Sequence, residues 1–414
     1  MKARWVWGLA LGCFVLAAGT GAYYRLKLVY PLPGVLEYVR HAHSHLMFFS
    51  WVTPVLVLLV GAYLARAGLR PRLFGFTAAL AAFSGLATYL PFLKSGYHLM
   101  VVGSKALPIS MMISGANGVA WYLFVAAYLV ATWRVRRGPV LRLLDGAVAM
   151  IVISTVAIAG LAYLGMSGQV ARPLMLALVD WFLTCFADGW FGLAVLALAA
   201  RHSPPAGLSR TPVGLLTWAL VAAIGVRSAA RFATDGLGWQ WPAGFDAVAS
   251  AVAALACLLL VRAVWPVATK AELRGSTLWL RQLALALIAL KGTVELTGAL
   301  PAVRAELMAA PFHVFFLHAF LLGAVSFSLL YGVRTTIGPT AFKGATAFIV
   351  AVGVMVGALV TLTPVWPSAL SGPWVLYATA VTSLGPLLVA LQALLRLDLW
   401  SGSRAIRPRA TARR

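Results

Sequence analysis

Five of the seven histidines in this 414-residue chain fall in two tight groups, His41, His43 and His45 near the start and His313 and His318 far downstream. The neutral imidazole nitrogen is a good metal ligand, and a low-spin haem iron takes one from each side. Imidazoles facing one another across a helical bundle are therefore a natural cofactor site. On a helix, His41 and His45 are four apart and share a face, whereas His43 points nearly the opposite way. One bound group can use only one of these faces, and the remaining imidazoles could orient a cofactor carboxylate, bind copper or face water. A plainer reading is that histidines near a helix mouth hydrogen-bond water and lipid headgroups. It suits the trio better than His318, which lies deeper in its apolar run.

The elements that carry these residues are membrane helices. Hydrophobic residues make up 62% of the chain and charged residues only 10%, far below the roughly 25% charged residues of a soluble domain. A spanning helix needs about 20 apolar residues. Such runs recur at roughly 5–23, 41–65, 73–93, 108–132, 145–166, 173–200, 211–232, 244–265, 276–298, 311–333, 344–363 and 374–395. The expected fold is thus all-α, a polytopic transmembrane bundle of about twelve helices. One compact unit over about 1–398 is followed by a basic tail over about 399–414, and no internal repeat is evident.

The formal charge is +23, but the basic residues sit in short breaks between apolar runs, which reads as topology and not as a nucleic-acid footprint. Alternate loops collect the arginines, among them Arg66, Arg70 and Arg72, then Arg134, Arg136, Arg137 and Arg142, and finally the tail. The opposite loops hold only scattered charges such as Arg25, Lys27, Arg40, Lys105 and Arg304. Both chain ends are then expected in the cytoplasm of a cell whose plasma or inner membrane holds the protein. Met1 to Tyr24 resembles a signal peptide but is retained as the first span, because an even helix count agrees with the charges at both ends. Cys13, Cys185 and Cys257 lie in separate apolar runs with no CxxC spacing, so no disulfide framework is expected.

In this orientation the trio opens the second span from the outside and His313 and His318 open the tenth, also from outside. Two helices remote in sequence carry imidazoles to similar depth. A second constellation comprises Asp180 and Asp188 in the sixth span, Arg227 in the seventh, and Lys291 and Glu295 in the ninth. Lys291 and Glu295 can pair along one helix, and Asp180 can pair with Arg227; a proton path is the functional alternative. Cys185 reads as a small core residue. Gly61, Gly323 and Gly357 are expected to permit close helix packing, and the first two could make room for a flat macrocycle.

The segments Arg40-His-Ala-His43 and His43-Ser-His-Leu-Met-Phe-Phe-Ser-Trp51 resemble the second helix of the haem-copper oxidase catalytic subunit (subunit I) superfamily, and His318-Ala-Phe-Leu-Leu-Gly323 resembles its tenth. The same segments are similar to the NnrS family of twelve-helix haem and copper proteins linked to nitric oxide responses. The resemblance implies haem b held between His43 or His45 and His318. The chain also departs from the oxidase pattern. The superfamily's first tenth-helix histidine would fall at Phe316, His313 is off register by three residues, and the sixth and seventh spans hold no histidine for copper. Conventional oxygen reduction is therefore not expected. The loop at about 363–373 lacks the arginines that oxidases use near haem propionates, so Arg40, Arg227, Arg231 or Arg304 would have to replace them.

Three functional classes follow. The leading expectation is a haem b membrane protein acting in electron transfer, with a redox partner protein or respiratory complex, or in handling nitric oxide or another diatomic gas. If it is an enzyme, it is an oxidoreductase. The second class is a proton-coupled secondary transporter using the intramembrane charges, and the third a copper-binding assembly partner of a respiratory complex using His41, His45 and His98.

Overall fold

In the computed structural model of the chain, residues 3–167, 171–242, 244–268, 273–300 and 310–397, with positions 303 and 307, are described. The basic tail and Arg304 lie outside them. Among the described residues, eleven helices are long and apolar enough to cross a membrane. In chain order they are α1 (Ala3–Lys27), α2 (Leu36–Arg66), α3 (Phe74–Ser95), α4 (Ile109–Thr132), α5 (Pro139–Gly165), α6 (Arg172–Ala200), α7 (Val213–Gly236), α8 (Phe245–Val264), α9 (Ser276–Thr297), α10 (Pro311–Thr336) and, after the shorter α11 (Ala345–Val360), α12 (Trp374–Leu395). At 16 residues, α11 is about 24 Å long, short of a hydrocarbon layer of about 30 Å. The chain is a multi-pass membrane protein of the all-α class, with one small unexpected hairpin, Met100–Val102 paired with Lys105–Leu107.

Three helices form the centre. In α2, α6 and α10 the apolar window is 89%, 78% and 72% buried, against at most 56% in the other long spans. These three touch one another in every pairing and the remaining helices surround them. They recur at every fourth helix. The composition of each span hides this, because all twelve are apolar; only packing distinguishes a central helix from a lipid-facing one.

The same three helices each contain a π-helical stretch, at Leu46–Val52, Thr184–Phe191 and Ala319–Val325. A π turn loosens the backbone ladder by one residue and is common beside functional sites. In α2 and α10 the loosening is compensated identically: the hydroxyl that follows the π stretch donates to a carbonyl five residues back, Thr53 to Phe48 at 2.7 Å and Ser326 to Leu321 at 2.9 Å. The indole of Trp51 then donates to Ser326 Oγ at 3.1 Å, pinning the two stretches together. Below this joint the helices are in close contact, with no room for a Cβ at Gly332 because Leu59 Cδ1 would lie 2.6 Å away.

One expectation about glycine needs correction. Gly61 and Gly323 do serve close packing, against Phe74 and Leu287. Gly357 faces open space and brings no helix near. At the end of the bundle away from His43 and His318, α6, α8 and α9 are tied by Arg281, only 1% exposed, which donates to Ala199, Val264 and Trp265 carbonyls and to Ser203 Oγ. Carbonyls left over at helix C-termini are thereby satisfied.

Candidate functional site

The helix carrying the trio starts earlier than its apolar run suggests, at Leu36, behind Pro33 and the positive-φ Gly34. Glu37 in its first turn suits the helix N-terminus. The histidines therefore lie within the second and third turns, not at the mouth.

The trio divides by face as the periodicity requires. His41 and His45 turn toward α3 and α4. His41 sits 4.6 Å from the Tyr97 ring centroid and pairs with Glu37 at 3.4 Å. His45 packs on Phe92 with centroids 3.9 Å apart, and both of its nitrogens are engaged, Nε2 3.0 Å from the Tyr97 hydroxyl and Nδ1 3.4 Å from Ser114 Oγ. Burial of its phenol pushes Tyr97 up to about 12, so it is a neutral donor at physiological pH. His98 is exposed; it approaches Tyr38 and is an electrostatic neighbour of His41. Among the described residues no group of three or more His, Cys, Asp or Glu could hold a metal ion, which includes the copper set envisaged from His41, His45 and His98.

His43 points the other way, onto α1. Its Nδ1 lies 2.8 Å from the Ala17 carbonyl. A carbonyl can only accept, so Nδ1 carries the proton and Nε2 is left with a bare lone pair. The ring fits because position 21 is glycine: a Cβ there would stand 2.9 Å from His43 Cε1. His318 is held in the same manner, with Nδ1 donating to the Val314 carbonyl at 2.7 Å. Both rings are half-buried.

The two rings share one level. His43 precedes Trp51, and His318 precedes Ser326, by the same eight residues, about 12 Å of helix above the pinned joint. His43 and Arg25 are both electrostatic neighbours of His318, and Arg25 is also a neighbour of His43. The tertiary structure thus brings His43, His318 and Arg25 together and separates them from His41 and His45. His313 is exposed on α10 and does not join this group.

The arginines considered for the site lie elsewhere. Arg40 is exposed and pairs with Glu37 at 3.8 Å. Arg227, 5% exposed, belongs to a four-membered ion cluster with Asp188 (3.7 Å), Glu295 (3.9 Å) and Lys291, which itself meets Asp188 at 3.1 Å and pairs with Glu295. The expected Asp180–Arg227 pair is not formed; Asp180 meets Arg231 at 3.7 Å, and Arg231 also meets Asp246 at 3.3 Å. The cluster occupies the compartment between α6 and α10, beside a cavity of about 30 Å³, room for one or two waters. Lys291 lies 5.6 Å over the Phe320 ring, two residues beyond His318. Between α2 and α6 the corresponding space is filled by Phe48, Phe49, Trp121, Phe182 and Phe186. Cys185 is buried with its thiol toward Ser228, and all three cysteines are free.

No family model and no curated protein matches the chain. The site therefore rests on its own geometry. Arg25 and Gly21 are the site residues that reading the sequence overlooked. Arg25 reads as one more loop charge unless it is noticed that Ala17, Gly21 and Arg25 succeed one another at four-residue spacing on one helix face.

Proposed function

We propose that the protein binds one haem b between His43 on α2 and His318 on α10 and works in electron transfer within the membrane. The observation that carries this reading is the matched pair of imidazoles. Each is fixed by an Nδ1–H bond to a backbone carbonyl, each offers a bare Nε2, and both stand at one level above the Trp51–Ser326 joint. Fixing the remote nitrogen sets the tautomer and orientation of an imidazole ligand. Haem supplies a reversible one-electron couple, and bis-imidazole ligation leaves no open position for a gas. His45 is assigned no ligand role, because Tyr97 and Ser114 engage both of its nitrogens. The aromatic filling of one compartment and the ion cluster of another favour a single haem.

The test is the absorption spectrum of purified protein, reduced with and without carbon monoxide. A bis-imidazole haem spectrum unaffected by carbon monoxide is expected, abolished in His43→Ala and in His318→Ala and retained in His45→Ala. A colourless preparation that cannot be reconstituted with haem would overturn the proposal. A carbon monoxide shift in the wild type would instead reassign the site to gas handling.

A further inference from the structure

A second cavity lies at the end of the bundle away from His43 and His318, where the start of α1, the loop joining α10 to α11 and the end of α12 converge. Its volume is about 210 Å³, room for several waters and so for a phosphate group. Arg4, Lys343 and Arg396 line it together with Thr340, Ile337 and Leu397. Three cations from remote parts of the chain thus face one space, and no acid is among the described residues that line it. Two of the three also stand where a helix disfavours positive charge. Arg4 is in the first turn of α1 and Lys343 lies two residues before the first residue of α11, each at the positive end of a macrodipole. Sorting of basic residues to one side of the membrane accounts for their sign. It would be served equally by charges dispersed over separate loops, and it does not account for their meeting round a cavity.

The wall of this cavity is braced. Arg334 donates to the Pro339 and Phe342 carbonyls at 2.8 and 2.7 Å and to Thr277 Oγ1 at 2.9 Å, and the Trp7 indole donates to the Ala341 carbonyl at 2.9 Å. The loop between α10 and α11 is thereby held against α9 and α1. Membrane helices begin or end at each of the three cations, which sets the cavity at the level of the lipid headgroups. Trp5 and Leu395, the chain neighbours of Arg4 and Arg396, are exposed apolar side chains. The shortness of α11 adds to this, because flanking basic residues engage headgroups where a helix falls short of the hydrocarbon layer. We propose that the cavity holds the phosphate of an anionic membrane lipid whose acyl chains lie along α1 and α12. Two guanidinium forks, one ammonium and two helix N-termini all complement a phosphate monoanion. A zwitterionic lipid would bring its own ammonium group among three cations, so the site selects phosphatidylglycerol over phosphatidylcholine. Free inorganic phosphate has the same anionic chemistry without the acyl chains.

The experiment uses the full-length chain, delipidated in a non-ionic detergent and titrated with phosphatidylglycerol or phosphatidylcholine of identical acyl chains, with bound lipid read by native mass spectrometry. Wild type is expected to prefer phosphatidylglycerol by roughly tenfold or more, the scale for several basic residues meeting an anionic headgroup. Arg4→Gln, Lys343→Gln and Arg396→Gln combined should erase that preference. Arg70→Gln, Arg72→Gln and Arg134→Gln combined remove the same charge from exposed positions elsewhere and should leave it intact. Comparing the two lipids within each protein cancels any difference in the fold of a variant. Equal binding of both lipids by wild type, or an undiminished preference in the first triple variant, overturns the proposal. An equal loss in both triple variants also overturns it, since diffuse surface charge then suffices. Inorganic phosphate at millimolar concentration should not displace the bound lipid; displacement would assign the cavity to a soluble phosphate and overturn the lipid.

Discussion

At the scale of single residues, the histidines are sorted by what their second nitrogen touches. His43 and His318 are tied through Nδ1 to carbonyls that can only accept, whereas His45 is closed at both ends by hydroxyls. The spacing shows that His43 and His45 face apart, but not which face meets α10. Gly21 makes the arrangement sensitive to one methyl group. Gly21→Ala would push the His43 ring from its carbonyl, since the new Cβ would stand 2.9 Å from Cε1, at a cost of about 1 kcal/mol for the lost bond. The expected outcome is folded protein with altered oxidised-state electron paramagnetic resonance g values. Unchanged g values in that variant would show that His43 does not ligate.

At the scale of elements, the π stretches of α2 and α10 are joined by the hydrogen bond from Trp51 to Ser326. The ion cluster linking α6, α7 and α9 is the other element-level constraint. It holds two cations and two anions, so neutralising a single member leaves one buried charge uncompensated. Asp188→Asn is expected to destabilise the bundle by about 3 kcal/mol or more, and the double change Asp188→Asn with Lys291→Met to recover much of the loss, because removing a pair restores neutrality. Thermal unfolding in detergent measures both. If the double variant is as unstable as the single one, the cluster is not governed by charge balance.

At the scale of the whole molecule, the helices packed around α2, α6 and α10 leave regions with different contents: the imidazoles of His43 and His318 with Arg25, an ion cluster with space for water, and a packed aromatic block. The distribution of arginines predicts an orientation with both chain ends in the cytoplasm. With the native cysteines replaced, a cysteine introduced at Ser104, in the turn of the small hairpin, should react with a membrane-impermeant thiol reagent in intact cells. One introduced at Arg70 should react only after permeabilisation. The reverse pattern would invert the proposed topology and place the histidine level near the cytoplasm.

The amino-acid sequence alone determined that this chain is a multispanning helical bundle. Apolar run length and composition are local properties that set the membrane-crossing state residue by residue. The same locality made the opposed faces of His43 and His45 legible, and the Lys291–Glu295 pair, since both follow from helical periodicity. The tertiary structure decided the rest. Which helices are central, which histidine meets α10, why Arg227 joins Asp188 and not Asp180, and why Arg25 is turned inward all depend on contacts between segments remote in sequence, and in membranes those contacts are chosen by close packing and not by any further gain in hydrophobicity.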